Sequence, residues 1–227
     1  MFDNRGVGKS DRPDGIYSPK IMAEDTVGLM GYLGIDKAHI LGFSMGGTIA
    51  QEIAINFPEK VNRLVLSSTF ACNDDGPNGG TPEEITLGRF TIREFMPRQL
   101  NLAFNSKSRR TFYIPIVWIQ SLFMQAKDFS GLQSQVEGLR IHNTLDRLSK
   151  IKCHTLVLTG TKDRVVKPSS SETLARHLPD AELVKLNNGS HMICNEMADE
   201  YNRIIFRFLT NDHSDRSSLK NRSSFNS

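Results

Sequence analysis

The sequence predicts an α/β fold: a mostly parallel sheet flanked by helices, with a helical segment inserted into it. Three observations carry this expectation. Short apolar strands alternate with helical patterns at both ends of the chain. Residues 83–148, between them, keep a helical composition rich in phenylalanine. One glycine–serine turn, Gly42-Phe43-Ser44-Met45-Gly46, joins a strand to a helix. Strand–helix–strand order calls for parallel pairing, because the crossover helix returns the chain to the same end of the sheet.

Residues 1–15 are rich in Gly, Asp, Arg and Pro and read as a loop. Ser18-Pro19 opens a helix, with Met22, Val27, Met30 and Leu33 near helical spacing and Gly34 as its stop. Ala38 to Leu41 reads as a short buried strand. A helix follows the glycine–serine turn, with Ile49, Ile53 and Phe57 on one face and Pro58 closing it. Leu64-Val65-Leu66 is the next strand. From Asn73 to Pro82 the chain is Gly, Pro, Asp and Asn, a loop into the inserted helical stretch. Thr155 to Leu158 is then a strand, Ser169 to Leu178 a helix, Leu183 to Leu186 a strand and Met197 to Leu209 a helix. This divides the chain into a first core part (1–70), a helical insertion (71–150), a second core part (151–210) and a disordered polar tail (211–227).

A chain of 227 residues buries roughly 70% of the surface its unfolded state exposes, so it needs no disulfides to hold a core. The formal net charge is +3, and no Lys/Arg run reaches five residues; the densest patch is Lys107, Arg109 and Arg110. A field that weak argues against a nucleic-acid partner. Cys72, Cys153 and Cys194 have no metal-ligand spacing and read as reduced thiols. No stretch nears the length of a membrane helix, and the N-terminus lacks the apolar core of a secretion signal. The expected location is cytoplasmic, without membrane attachment. Oligomeric state is not legible.

The turn at 42–46 matches G-x-S-x-G in full and sits in the matching strand–turn–helix context. Such a turn thrusts a serine hydroxyl out of a strained backbone, and glycines two before and two after keep neighbouring backbone clear. The serine also stands at a helix N-terminus, where developing negative charge is favoured. A serine nucleophile needs a base, and the base an orienting acid, in the chain order serine, acid, histidine. Asp163 follows the strand at 155–158, and His191 follows the strand at 183–186. Both then stand at the C-terminal ends of parallel strands, where sites on open α/β sheets gather. His39 and His154 enter their strands from the far end, His142 and His177 fall in helical stretches, and His213 is in the tail. Gly6-Val7-Gly8-Lys9-Ser10 ends like a phosphate-binding loop, but Asp3 occupies the position of that loop's first glycine and no strand precedes it. The run from Ile114 to Met124 is too apolar for a solvated helix, so Trp118 and Phe123 either form an apolar wall over the pocket or pack the helical segment onto itself.

Four motifs in order resemble the α/β-hydrolase fold superfamily, in its serine-nucleophile branch, over residues 1–210. Phe2-Asp3-Asn4-Arg5-Gly6-Val7-Gly8-Lys9-Ser10-Asp11 resembles the family's D-x-R-G-x-G-x-S segment. Leu41 to Gly47 resembles its nucleophile elbow, Leu158 to Asp163 its acid loop and Gly189-Ser190-His191 its histidine loop. The Ser44-Met45-Gly46-Gly47 elbow and the Pro58-Glu59-Lys60-Val61 turn are most similar to enol-lactonase-type and small esterase-type members. The resemblance implies hydrolysis of a small carboxylic ester or lactone. Ser44 would be the nucleophile, His191 the base, Asp163 the orienting acid and the Met45 N–H an oxyanion donor. It implies no metal and no organic cofactor, and assigns residues 71–150 to a cap. Relatives that open haloalkanes or epoxides use aspartate where Ser44 stands. Carbon–carbon-bond hydrolases share the same phrases, and a non-catalytic or partial hydrolase-like protein is the alternative from another class. Family members carry further strands and a His-Gly loop ahead of the D-x-R-G-x-G segment, which here begins at residue 2. From this chain the elbow strand is therefore expected to present an unpaired apolar edge.

Overall fold

The computed structural model describes residues 2–72, 103–106, 111, 115 and 130–210. Helix α1 spans Pro19–Tyr32. The Ser18 hydroxyl caps it by accepting the Ile21 N–H at 3.3 Å, and Pro19 takes the first position, where its missing N–H costs nothing. Met22, Ala23 and Met30 bury its inner face, and Leu33 falls beyond the helix end and is exposed. Strand β1 is Ala38–Phe43, α2 is Met45–Asn56 and β2 is Val61–Ser67. Further along the chain come α3 (Ser130–Arg140), β3 (Thr155–Gly160), α4 (Pro168–His177), β4 (Ala181–Leu186), the short α5 (Ile193–Glu196) and α6 (Ala198–Thr210).

Among the described residues the sheet has four strands in the order β1-β2-β3-β4, all parallel. Two apolar clusters cover it. Leu64, Leu66 and Val157 point to one face, with Met22, Ile49, Ile53 and Leu174 from α1, α2 and α4. Val65, Leu156 and Leu158 point to the other, with Tyr201, Ile205 and Phe208 from α6. Because both faces are covered, β2 and β3 read as continuous apolar runs rather than alternating ones.

β1 differs, and the expectation that Ala38 to Leu41 form a buried strand is corrected here. His39 and Leu41 are exposed, Leu41 to 47%, while Ala38 and Ile40 are half-buried. The reason is position: β1 lies at the edge and pairs only with β2. The expectation of an apolar edge holds. The opposite edge, β4, instead shows Glu182 and Lys185 to solvent, charges that discourage strand addition.

The register aligns the strand ends that matter. Phe43 pairs with Ser67, Ser67 with Leu158, and Gly160 with Leu186. The residues that follow these positions emerge together along the C-terminal edge. No helix among the described residues is long and apolar enough to cross a membrane.

Candidate active site

Ser44 sits between β1 and α2 with φ +52° and ψ −120°, in the left-handed half of the map that a side chain rarely occupies. Several contacts hold it there. Its N–H donates to Ser67 O at 2.9 Å, and its carbonyl accepts the Gly47 N–H at 2.9 Å and the Thr69 hydroxyl at 2.8 Å. A Cβ on Gly42 would stand 2.4 Å from Gly46 O and 2.6 Å from the Gly47 Cα, so the turn closes only with glycine there. The expectation for the following glycine needs correcting. A Cβ on Gly46 meets nothing within 4 Å, whereas one on Gly47 would strike the Thr69 side chain at 2.5 Å. The crowding arises because β2 runs on past its last sheet pair and passes directly over the start of α2.

Asp163 and His191 reach the same place from β3 and β4. His191 Nε2 lies 3.1 Å from Ser44 Oγ, and His191 Nδ1 lies 2.9 Å from Asp163 Oδ2. The other carboxylate oxygen, Oδ1, accepts the backbone N–H groups of Val165 at 2.8 Å and Val166 at 2.9 Å. With Oδ1 so held, Oδ2 is left for the imidazole. Asp163 and His191 are both buried, and the Phe43 ring stands 5.1 Å from the imidazole. Met45 is the first residue of α2, so its N–H is one of those that no carbonyl within the helix accepts.

Ala103 to Ser106 touch both loops. Ala103 O accepts the Met192 N–H at 3.1 Å, and Phe104 O accepts from Arg164 at 3.3 Å. The Asn105 amide donates to Asn188 O at 3.3 Å, and the Ser106 N–H donates to Glu196 at 2.8 Å. These four residues lie across the residues next to Asp163 and His191. Trp118 and Phe123, the expected pocket wall, lie outside the described residues.

The other histidines among the described residues are elsewhere. His154 faces Asp180 at 3.0 Å and Glu182 at 2.9 Å, at the opposite end of the strands. His142 is not within a helix as expected but just past the end of α3, its ring edge-on to Phe70. Burial pushes its pKa down to about 4, with the Glu52 charge opposing and Arg147 adding to the fall. Burial also pushes Glu52 upward, but hydrogen bonds from Arg147 and Asn56 outweigh it and hold the carboxyl below its ordinary range. This Glu52–Arg147 pair braces α2 against the turn after α3. Among the described residues no cluster of His, Cys, Asp or Glu is arranged to hold a metal ion.

Sequence reasoning placed the three central side chains but missed what holds them: the Val165 and Val166 N–H groups, Thr69 and Ser68. A signal existed for the last two, since Ser67-Ser68-Thr69 follows an apolar strand on the edge where sites gather.

A family model described as the alpha/beta hydrolase fold matches residues 1–122, more than half of the chain. The chain belongs to the alpha/beta hydrolase fold family. A second family model, described as serine aminopeptidase S33, matches residues 136–198. The chain is 31% identical to the "Putative carbamate hydrolase RutD" of Rhizobium rhizogenes, over 92% of this chain and 80% of that relative. It is also 31% identical to the 2-hydroxy-6-oxononadienedioate/2-hydroxy-6-oxononatrienedioate hydrolase of Comamonas testosteroni, over 84% of this chain and 69% of the relative. Among solved structures it resembles the enol-lactonase from Burkholderia xenovorans LB400, with 25% identity and a TM-score of 0.78. That likeness takes in 92% of this chain and 79% of the other. As an α/β hydrolase with relatives named as hydrolases, the chain falls among the hydrolases.

Proposed function

We propose that this hydrolase cleaves small carboxylic esters or lactones through an acyl-enzyme on Ser44. The observation that carries the reading is the unbroken hydrogen-bond chain from Ser44 Oγ through His191 to Asp163. His191 Nε2 takes the Ser44 proton as Oγ bonds to the carbonyl carbon. The carbonyl π pair moves onto oxygen, and the Met45 N–H donates to that oxyanion. Collapse expels the alkoxide, which leaves with the proton from His191. Water then repeats the sequence at the acyl group, with His191 again the base. Asp163 keeps the imidazole proton on Nδ1 until the transfer and stabilises the imidazolium that forms.

Residues 71–150 act in this reading as a cap, with Trp118 and Phe123 lining an apolar substrate wall. The contacts of Ala103 to Ser106 with both loops support a cap seated over the site. Three free cysteines suit a reducing cytoplasm. The second reading is a carbon–carbon-bond hydrolase, favoured by the likeness to the Comamonas testosteroni dienedioate hydrolase.

A fluorophosphonate probe tests the assignment. The parent chain should label at one serine, and Ser44→Ala should lose the label while keeping its circular dichroism spectrum. Equal labelling of both would remove Ser44 from the role. An unlabelled, correctly folded parent would instead point to a hydrolase-like binding protein. Turnover of p-nitrophenyl esters and lactones, set against the dienedioate, separates the two enzymatic readings.

A further inference from the structure

We infer that Ser68 is a positioning residue for the histidine, and that it works by clamping a single peptide plane; the inference rests on the serine-hydrolase reading above. Ser68 follows the last residue of β2 and is fully buried. Its φ is +48°, a conformation glycine adopts freely and a serine does not. Strain of this kind persists only where surrounding contacts over-determine it, and it gathers at functional sites. The surrounding contacts are few and specific. The Ser68 N–H donates to Leu158 O at 2.8 Å, which a glycine would do equally well. Among the described residues the hydroxyl makes a contact that requires a side chain: it donates to His191 O at 3.2 Å, bridging 123 positions of sequence.

That carbonyl belongs to the peptide group joining His191 to Met192. The N–H of the same group is held from the opposite side. It donates to Ala103 O at 3.1 Å and to the Ser190 hydroxyl at 3.1 Å. Both ends of one peptide plane are therefore fixed, the oxygen by the floor of the sheet and the hydrogen by the insertion and the loop itself. Held at both ends, this plane fixes the position of the His191 Cα and the axis of its Cα–C bond, which limits where the imidazole can reach. The imidazole must meet Ser44 Oγ at 3.1 Å and Asp163 Oδ2 at 2.9 Å at once, which leaves little angular freedom. Immediately beside Ser68, the Ser67 carbonyl and the Thr69 hydroxyl hold the nucleophile's own backbone. Three consecutive residues, the last of β2 and the two that follow it, thus set the spacing between nucleophile and base.

Displacements of about 1 Å cost on the order of a hundredfold in rate. Losing one of the clamp's three bonds allows a smaller shift, so the expected loss in kcat is about tenfold. Ser68→Gly and Ser68→Ala both remove the hydroxyl, but only the first relieves the backbone strain. Each is assayed with a p-nitrophenyl ester, the active sites being counted by fluorophosphonate titration. The expected result is a kcat per titrated Ser44 about tenfold below the parent in both variants. KM stays within about twofold, and the two kcat values agree although the two proteins melt at different temperatures. A structural role alone would leave kcat per titrated site at the parental value, and that result overturns the inference. If Ser68→Ala fails to fold, Ser68→Gly decides by itself. A parent chain that does not label at Ser44 overturns the serine-hydrolase reading, and this inference with it. A labelling parent with an unimpaired Ser68→Gly overturns the positioning role alone.

Discussion

Replacing Asp163 with asparagine tests how the acid works, and the structure allows the size of the effect to be worked out. Asp163 Oδ1 accepts two backbone N–H groups, at 2.8 Å and 2.9 Å, while Oδ2 faces His191 Nδ1. An asparagine has one oxygen and one amide nitrogen to share between these partners. If its oxygen keeps the two N–H groups, its NH2 points at Nδ1. The imidazole must then carry its proton on Nε2, which faces Ser44 and can no longer accept from it. The opposite flip restores the productive tautomer but sets the NH2 against the Val165 and Val166 donors. Each unsatisfied buried donor costs about 1–3 kcal/mol, so the flip costs about 2–6 kcal/mol. At about 1.36 kcal/mol per tenfold, the productive form falls by roughly thirty- to thirty-thousand-fold. The assay is kcat with a p-nitrophenyl ester, alongside thermal melting, which should change little because the asparagine is isosteric. The rival carboxylates are poorly placed: Asp180 faces His154 at the other end of the strands, and Asp146 lies in the turn after α3. Turnover within threefold of the parent would refute the tautomer argument and move the acid's role off Asp163.

Three other predictions concern the frame of the site. Gly42→Ala should prevent folding or strongly lower the melting temperature, since its Cβ would sit 2.4 Å from Gly46 O, whereas Gly46→Ala should be tolerated; equal melting of the two variants would contradict the geometry. His142 has a folded pKa of about 4, below the ordinary value near 6.5, so the unfolded chain binds the extra proton. Its contribution is whole above pH 6.5 and is lost as the pH falls toward 4, which amounts to about 2 kcal/mol between pH 7 and pH 5; urea melts of the parent and His142→Phe at those two pH values should differ by that amount, and parallel losses would remove His142 from the account. Leu41, exposed on β1, the edge strand among the described residues, should drive self-association, so Leu41→Lys should sediment closer to the 25.5 kDa monomer than the parent does. A parent chain that is already monomeric would show that this edge is otherwise protected.

The sequence by itself determined the order of the described strands and that Ser44, Asp163 and His191 meet at one edge of the sheet. Apolar runs such as Leu64-Val65-Leu66 and Thr155 to Leu158 are local signals, and both became strands whose ends lie within three residues of the reading. The elbow is local too, since a strand, two glycines and a serine specify the turn whatever lies around it. Asp163 and His191 were legible because parallel strands bring every C-terminal end to one edge, so chain order alone predicts convergence. Only the tertiary structure decided how tightly they converge. The Ser68 bond to His191 spans 123 positions, and no periodicity encodes a contact at that separation. The space beside Gly47 is set by Thr69, which belongs to a different strand's exit. The exposure of Leu41 depends on what stands next to β1, a property of the sheet and not of the residues Ala38 to Leu41. Local pattern fixes which way each side chain points along its own element. Distances between elements depend on packing and on loop backbone, and those are shared among residues far apart in the chain.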